Sequence, residues 1–98
     1  MIGVGATLLM LSSWYGPGFN GNLTASGTIY NQYQATAAHK SLPFGTQLNV
    51  CYRTCELVTI TDRGPYIGAR ELDLSMGTAQ RIGMYDVGVA EVKVTRLN

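Results

Sequence analysis

The sequence carries little charge, and charge of one sign never accumulates along it. Seven basic and six acidic side chains among 98 residues leave a formal net charge of +1. Proteins that bind nucleic-acid phosphates usually carry a clustered basic patch, so this balance argues against a nucleic-acid partner. Long hydrophobic runs are also missing, since the apolar stretch 1–11 is shorter than the roughly 20 residues that a membrane-spanning helix needs. We therefore expect no nucleic-acid partner and no membrane span.

The N-terminal stretch also lacks the features of a targeting signal. Residues 1–11 have no basic beginning, and no clear cleavage site with small residues follows them. We interpret residues 1–11 as a leader or an extension of the first strand, and residues 12–98 as one domain. A chain of this length supports one small domain. No signal peptide is therefore visible in this chain.

Residues that bind metals or form disulfides are scarce. Cysteine is limited to Cys51 and Cys55, and histidine to His39. A structural zinc site needs four ligands at characteristic spacings, which disfavours zinc here, and no cofactor or metal is indicated. The remaining interpretations are a disulfide across the mouth of a hairpin, which we favour, or two reduced thiols at adjacent strand ends. A disulfide would place the protein outside the reducing cytosol.

Twelve glycines and three prolines divide the chain into short segments, as all-β folds require. Alternation of apolar residues predicts strands over 36–39, 47–51, 56–62 and 87–97, with a hairpin loop over 52–54. Ser75 is a plausible N-cap for a short helix over 76–82, and Gly83 suits its left-handed end. Many short strands with one or two short helices predict a mainly β protein, a small barrel.

The segment 56–62 carries a carboxylate at its end. In a regular strand Val58, Ile60 and Asp62 share one face, because side chains alternate between faces. Asp62 would then end a run of inward apolar side chains. The sequence Arg63-Gly64-Pro65 breaks the strand directly afterwards. We therefore expect Asp62 at the rim of the barrel.

Six short motifs follow one another in an order that resembles a known family. They are Ser13-Trp14-Tyr15-Gly16, Thr24-Ala25-Ser26-Gly27, Thr36-Ala37-Ala38-His39, Leu42-Pro43-Phe44-Gly45-Thr46, Asp62-Arg63-Gly64-Pro65-Tyr66 and Leu72-Asp73-Leu74-Ser75. Together they resemble the rare-lipoprotein-A-like (RlpA-like) double-psi β-barrel domain of bacteria, over about residues 12–97. The resemblance implies a six-stranded double-psi β-barrel with one or two short helices.

The resemblance also implies a function. Members of that family are peptidoglycan lytic transglycosylases or domains that bind wall glycan, and their fold is similar to that of expansins and of some endoglucanases. Peptidoglycan glycan strands are the partner this implies. The location it implies is extracytoplasmic: secreted, in the cell wall or periplasm, or carried on a phage particle. We expect a monomer.

The candidate catalytic residues follow from the same motifs. The family's catalytic carboxylate falls on Asp62, and its functional histidine falls on His39. In lytic transglycosylation the muramyl 6-hydroxyl of the substrate attacks instead of water, so one acid/base residue suffices in principle. The resemblance thus implies Asp62 as the acid/base, with His39 assisting. The residues by themselves also allow an aspartate that orders the following turn and a half-buried structural histidine.

One position departs from the family pattern. A second carboxylate usually follows the Ser-Gly of the early loop, and here that position is Thr28. Threonine can hydrogen-bond a sugar hydroxyl, but it cannot act as a general acid or base at ordinary pH. This departure favours an alternative function, a non-catalytic expansin-like module that binds or loosens wall glycan. A third possibility is a scaffold that uses the barrel as an interaction domain.

Aromatic and charged side chains complete the predicted glycan groove. Flat aromatic faces stack on sugar rings, and arginines pair with muramyl carboxylates. Asp73 matches an aspartate in the polysaccharide site of related expansins, and its alternative role is to anchor the start of the helix. The predicted substrate-binding residues are Thr28, Tyr30, Tyr33, Arg63, Tyr66 and Asp73.

Overall fold

Six strands and one helix follow one another in the computed structural model, which describes residues 2–98. The elements are β1 (Thr7–Trp14), β2 (Thr36–His39), β3 (Gln47–Cys51), β4 (Cys55–Asp62), β5 (Leu72–Leu74), α1 (Met76–Ile82) and β6 (Ala90–Arg96). The strands close into a barrel in the order β1-β5-β2-β4-β3-β6. The pairs β1/β5 and β2/β4 are parallel, and the other four pairs are antiparallel. The predicted mainly β barrel is confirmed.

The barrel interior is filled by the apolar residues that alternate along the strands. Val58 and Ile60 of β4 and Val92 and Val94 of β6 are each at most 1% exposed. Burial of a side chain of this size stabilises a fold by about 1.5–3 kcal/mol relative to leaving it exposed. The alternation read from the sequence therefore identifies the core faces of these strands correctly.

Capping residues determine where helix α1 begins and ends. Ser75 has an extended backbone, and its hydroxyl accepts a hydrogen bond from the backbone N–H of Thr78, while Gly83 ends the helix with φ of 86°. Both caps satisfy backbone groups that the helix itself leaves unpaired. Ala79 and Ile82 turn to the core and are fully buried. The predicted helix, with both of its ends, is confirmed.

A register shift in β4 changes the face of Asp62. Ile60 pairs with Ala37 of β2, but the next residue of β2, Ala38, pairs with Asp62, so Thr61 is an extra residue in β4. Such a β-bulge breaks the alternation of side chains. The expectation that Asp62 shares the inward face of Ile60 is therefore wrong, because alternation holds only in a regular strand.

The hairpin of β3 and β4 is closed by a disulfide. Cys51 and Cys55 lie opposite each other in the strand register and form the predicted Cys51–Cys55 bond. The three-residue loop between them, residues 52–54, is also as predicted. Within residues 2–98, no helix is long and apolar enough to cross a membrane.

Candidate active site

Four neighbouring strands bring two aspartates to one face of the barrel wall. Ala38 of β2 pairs with Asp62 of β4 on one side and with Asp73 of β5 on the other, and Asp73 pairs with Ser13 of β1. Side chains that face each other across paired strands point to the same side of the sheet. We call Asp62, Ala38, Asp73 and Ser13 the carboxylate row. It lies on the outer face of the wall, since the neighbours of Asp73 in β5 are buried in the core.

Asp62 is held by three hydrogen-bond donors. Its Oδ1 accepts from the backbone N–H groups of Ala25, at 2.8 Å, and Arg63, at 2.9 Å. Its Oδ2 accepts from the hydroxyl of Tyr15 at 2.8 Å. The carboxylate is thus fixed in orientation, and both of its oxygens accept hydrogen bonds.

Asp73 has a different environment. Burial raises the pKa of Asp73 above its ordinary value, and the nearby charge of Asp62 adds to this, although a hydrogen bond from Ser13 and the charge of Arg70 act in the opposite direction. The Ser13 hydroxyl donates to Asp73 Oδ1 at 3.0 Å. Asp73 therefore retains a proton to higher pH than an ordinary aspartate does.

Tyr15 and Tyr30 form an aromatic stack that supports Asp62 through the hydroxyl of Tyr15. The two rings stack with centroids 4.5 Å apart, and Phe19 packs edge-on against Tyr15. Burial and the hydrogen bond to Asp62 raise the pKa of Tyr15 well above its ordinary value, so its hydroxyl remains a donor. Tyr30 is only 5% exposed, and its hydroxyl accepts from the backbone N–H of Met76. Tyr30 was predicted to bind substrate, but the structure places it beneath Tyr15.

His39 lies on the other side of the wall from the two aspartates. It pairs with Leu72, which is fully buried in the core, so its ring is on the inner face at the barrel end. Its Nδ1 accepts from the backbone N–H groups of Ser41 and Leu42, both at 3.1 Å. Burial lowers the pKa of His39, and the charge of Arg63 acts in the same direction. Within residues 2–98, His39 forms no hydrogen bond with Asp62.

Arg63 is held against the turn that follows β2. Its Nη1 donates to the carbonyl oxygen of Leu42 at 2.8 Å and to that of His39 at 3.4 Å. The guanidinium lies 4.0 Å from the ring centroid of Phe44, a cation–π contact. His39 and Arg63 therefore brace the same turn, and through Arg63 this turn is connected to Asp62.

Thr28 belongs to a cluster of three hydroxyls beside Asp62. The side chains of Thr24, Ser26 and Thr28 are hydrogen-bonded to one another at 2.9–3.1 Å. Ala25, which donates to Asp62, lies within this loop, and the Ser26 backbone N–H donates to Thr61. The hydroxyl cluster thus stands where the family pattern has a carboxylate. It can exchange hydrogen bonds with sugar hydroxyls but cannot supply a second acid.

The other two predicted aromatic residues are exposed. Tyr66 is 74% exposed in the loop that follows Asp62, with its ring over Gly64. Tyr33 is 63% exposed, and its carbonyl oxygen lies against Gly77 at the start of α1. Tyr66 is therefore free to contact a ligand beside Asp62, whereas Tyr33 is positioned beside the helix.

Sequence reasoning did not assign roles to Tyr15 and Ser13. Both are in the motif Ser13-Trp14-Tyr15-Gly16, with Ser13 in β1 and Tyr15 directly after it, and continued alternation would place them on the same face. That alternation was the available signal for Ser13. The backbone N–H of Ala25 leaves no signal in the sequence, because any residue type supplies that donor. Among residues 2–98, no three His, Cys, Asp or Glu side chains are grouped in a way that would hold a metal ion.

Comparison with known proteins identifies the family of this chain. A family model described as "Lytic transglycolase" matches residues 9–94. A probable endolytic peptidoglycan transglycosylase RlpA from Synechocystis is 48% identical over 85 residues, which are 84% of this chain and 26% of that protein. The endolytic peptidoglycan transglycosylase RlpA of Campylobacter jejuni is 43% identical over 97 residues, 96% of this chain and 35% of that protein. The chain thus spans about a quarter to a third of these relatives.

Two solved structures share the fold. A papain inhibitor from Streptomyces matches with a TM-score of 0.79 and 18% identity, over 100% of both chains. A mutant expansin of Clavibacter michiganensis, solved with cellohexaose, matches with a TM-score of 0.76 and 16% identity over 95% of this chain and 51% of its own. These similarities support the predicted double-psi β-barrel. Because the family model covers nearly the whole barrel and the sequence relatives match most of the chain, this chain belongs to the lytic transglycosylase family of RlpA-like double-psi β-barrel domains.

Proposed function

We propose that this domain cleaves the glycan strands of peptidoglycan by lytic transglycosylation, with Asp62 as the acid/base. The carboxylate row carries the proposal, since it sets Asp62 beside Asp73 on the outer face of the barrel wall. The names of the relatives assign this activity to those proteins. A glycan chain needs an accessible surface, and neither aspartate is fully buried.

The reaction adds a proton to the bridging glycosidic oxygen and removes one from the muramyl 6-hydroxyl. The bond between C1 of the muramyl residue and the bridging oxygen breaks through an oxocarbenium-like transition state, while that oxygen receives a proton. The 6-hydroxyl of the same residue then bonds to C1 and gives up its proton, so no water is consumed. Asp62 gives the proton to the bridging oxygen and takes the proton of the 6-hydroxyl, so it ends the reaction in the protonation state in which it began. Asp73 binds substrate beside it, and its readily retained proton makes it the second candidate for the donor.

The other predicted residues take supporting roles in this proposal. Tyr66 offers an exposed ring to a sugar, and Thr28 offers a hydroxyl from the hydroxyl cluster. His39 assists indirectly, because it fixes the turn against which Arg63 is held. The disulfide Cys51–Cys55 supports a location outside the reducing cytosol, where peptidoglycan is found.

The proposal is tested by digesting purified sacculi and peptide-free glycan strands and identifying the products by mass spectrometry. Anhydro-muramyl ends that are lost in Asp62→Asn and retained in Asp86→Asn, an exposed aspartate outside the carboxylate row, would support it. Reducing ends in place of anhydro ends would contradict it, since they indicate attack by water. Absence of any product from the wild-type protein would also contradict it.

A second function is favoured by one observation, the hydroxyl cluster at Thr28. If cleavage requires a carboxylate at this position, the domain acts as a non-catalytic expansin-like module that binds wall glycan at the carboxylate row. The discriminating variant is Thr28→Glu. The binding module would be favoured if the wild-type protein pellets with sacculi without cleaving them and Thr28→Glu gains cleavage.

A further inference from the structure

The barrel wall has a gap beside the carboxylate row. Strand β5 begins at Leu72, whereas its neighbour β1 continues past that level to Thr7, and the chain after β2 continues beyond His39. Within residues 2–98, no strand fills the space between these two segments. A cavity of about 320 Å³ lies there, with Leu8, Met10, His39 and Glu71 among the residues that line it. We call this cavity the notch.

The notch presents one fixed donor. Two backbone N–H groups occupy His39 Nδ1, so the neutral ring carries its hydrogen on Nε2. Burial lowers the pKa of His39, which keeps the ring neutral at ordinary pH. Within residues 2–98, Nε2 has no hydrogen-bond partner, although the ring lines the cavity. The turn therefore orients a donor that the fold itself does not use.

The remaining lining combines an acceptor, an apolar wall and two further polar residues, Lys40 and Ser41. Glu71, an exposed carboxylate, supplies acceptor oxygens, and Met10 and Leu8 supply the wall, with Leu8 45% exposed. An acetamido group has the complementary set: a carbonyl oxygen that accepts, an N–H that donates, and a methyl group. Small polar groups that converge on an apolar surface are typical of ligand sites.

We propose that the notch binds the 2-acetamido group of an N-acetylated amino sugar and so selects N-acetylated glycans over plain β-1,4-glucans. His39 Nε2–H donates to the acetamido carbonyl, the acetamido N–H donates to Glu71, and the methyl group packs on Leu8 and Met10. Glu71 precedes Asp73 by two residues, about 7 Å along a strand, so the notch opens at the start of β5 near the carboxylate row, while His39 lines it from the inner face of the wall. This inference rests on the proposed glycan substrate but not on its cleavage.

The test compares two neutral ligands that differ only at C2, a β-1,4-linked hexamer of N-acetylglucosamine and cellohexaose. Affinities are measured by NMR titration of the intact chain. We expect the wild-type protein to prefer the N-acetylated hexamer by about tenfold, the effect of one hydrogen bond left unpaired in the notch. Equal affinities, or no binding of either hexamer, would overturn the proposal.

Two variants assign the preference to the notch. In His39→Asn the shorter side chain keeps an acceptor where Nδ1 stands, so the turn remains capped, but the Nε2–H donor is lost. Glu71→Ala removes the acceptor, and Glu91→Ala, an exposed glutamate of β6, is its matched control. We expect the first two variants to lose most of the preference with unchanged thermal unfolding, and Glu91→Ala to keep it. A full preference in both notch variants would overturn the proposal.

The outcome is separable from that of the proposed function. Selective binding without any cleavage of sacculi would leave the notch assigned and contradict the transglycosylase function. Cleavage to anhydro-muramyl products, together with equal affinity for both hexamers, would leave the function and overturn the notch.

Discussion

The hydroxyl of Tyr15 donates a hydrogen bond of 2.8 Å to Asp62 Oδ2 across 47 residues of sequence. The ring of Tyr15 is stacked on Tyr30, and Tyr30 is anchored by its hydroxyl to the first residue of α1. A phenol with a raised pKa stays protonated, so it donates throughout the ordinary pH range. The candidate catalytic carboxylate is therefore oriented by an aromatic stack whose far end rests on the helix.

This relationship predicts the effect of Tyr15→Phe. The change removes the hydrogen bond and leaves the stacked ring, so we expect kcat to fall about tenfold with KM nearly unchanged. The free energy of unfolding should fall by no more than about 1 kcal/mol. Steady-state kinetics on glycan strands and denaturant unfolding measure both. Tyr85→Phe, which alters a tyrosine stacked on Trp14 outside the carboxylate row, should leave kcat unchanged. A rise in KM alone would contradict a positioning role.

Asp73→Asn should change both the pH dependence of stability and the rate of cleavage. The raised pKa of Asp73 means that the folded protein binds this proton more tightly than the unfolded chain does. The contribution of Asp73 to wild-type stability should therefore be greatest below the ordinary aspartate pKa of about 3.9 and fall as pH rises through the range just above it. Asp73→Asn should remove that fall while lowering cleavage by about 100-fold or more.

Thermal unfolding of the wild type and of Asp73→Asn over a series of pH values measures the first effect. The control is Asp86→Asn, which should follow the wild-type pH profile. Parallel profiles for wild type and Asp73→Asn would show that Asp73 does not carry the pH dependence.

Gly77→Ala tests how closely α1 approaches the loop before β2. A Cβ at position 77 would lie 2.9 Å from the carbonyl oxygen of Tyr33 and 3.0 Å from that of Gln32. Backbone oxygens cannot swing aside, so we expect a loss of about 1–3 kcal/mol in the free energy of unfolding. Gly16→Ala is the matched control, since its Cβ would meet nothing within 4 Å. Equal stabilities of the two variants in denaturant unfolding would refute the close approach.

The disulfide is expected to contribute to the free energy of unfolding. Replacing both Cys51 and Cys55 by alanine should lower the free energy of unfolding by about 2 kcal/mol, because the unfolded chain is no longer constrained over this short loop. A reducing agent should destabilise the wild-type protein by a similar amount and leave the double variant unaffected. Unfolding in denaturant with and without reductant measures both effects, and a wild type that is insensitive to reductant would contradict the expectation.

Local structure was predictable where its causes are local. The caps at Ser75 and Gly83 mark α1 because a cap depends on its own side chain and on neighbouring backbone groups. The hairpin of β3 and β4 follows from alternating apolar residues around a three-residue loop. The last strand was predicted over 87–97 and forms over Ala90–Arg96, since strand ends depend on what pairs with them.

For the candidate site, the sequence predicted which residues take part but not how they are arranged. The motifs pointed to Asp62, His39 and Asp73, but nothing local shows which of them meet. Strand β5 has only three residues, Leu72–Leu74, too few for a periodic pattern, and it was not predicted. It nevertheless carries Asp73 to its place opposite Ala38.

The sequence by itself therefore determined the helix, the hairpin and the chemistry available to the site, and it favoured the disulfide without deciding it. The tertiary structure decided that Asp62 faces outward with Asp73, through the extra residue Thr61, and that His39 faces inward toward the notch. The physical reason is strand register. Register is set by hydrogen bonds and core packing between segments far apart in sequence, and a shift of one residue moves a side chain to the other face of the sheet.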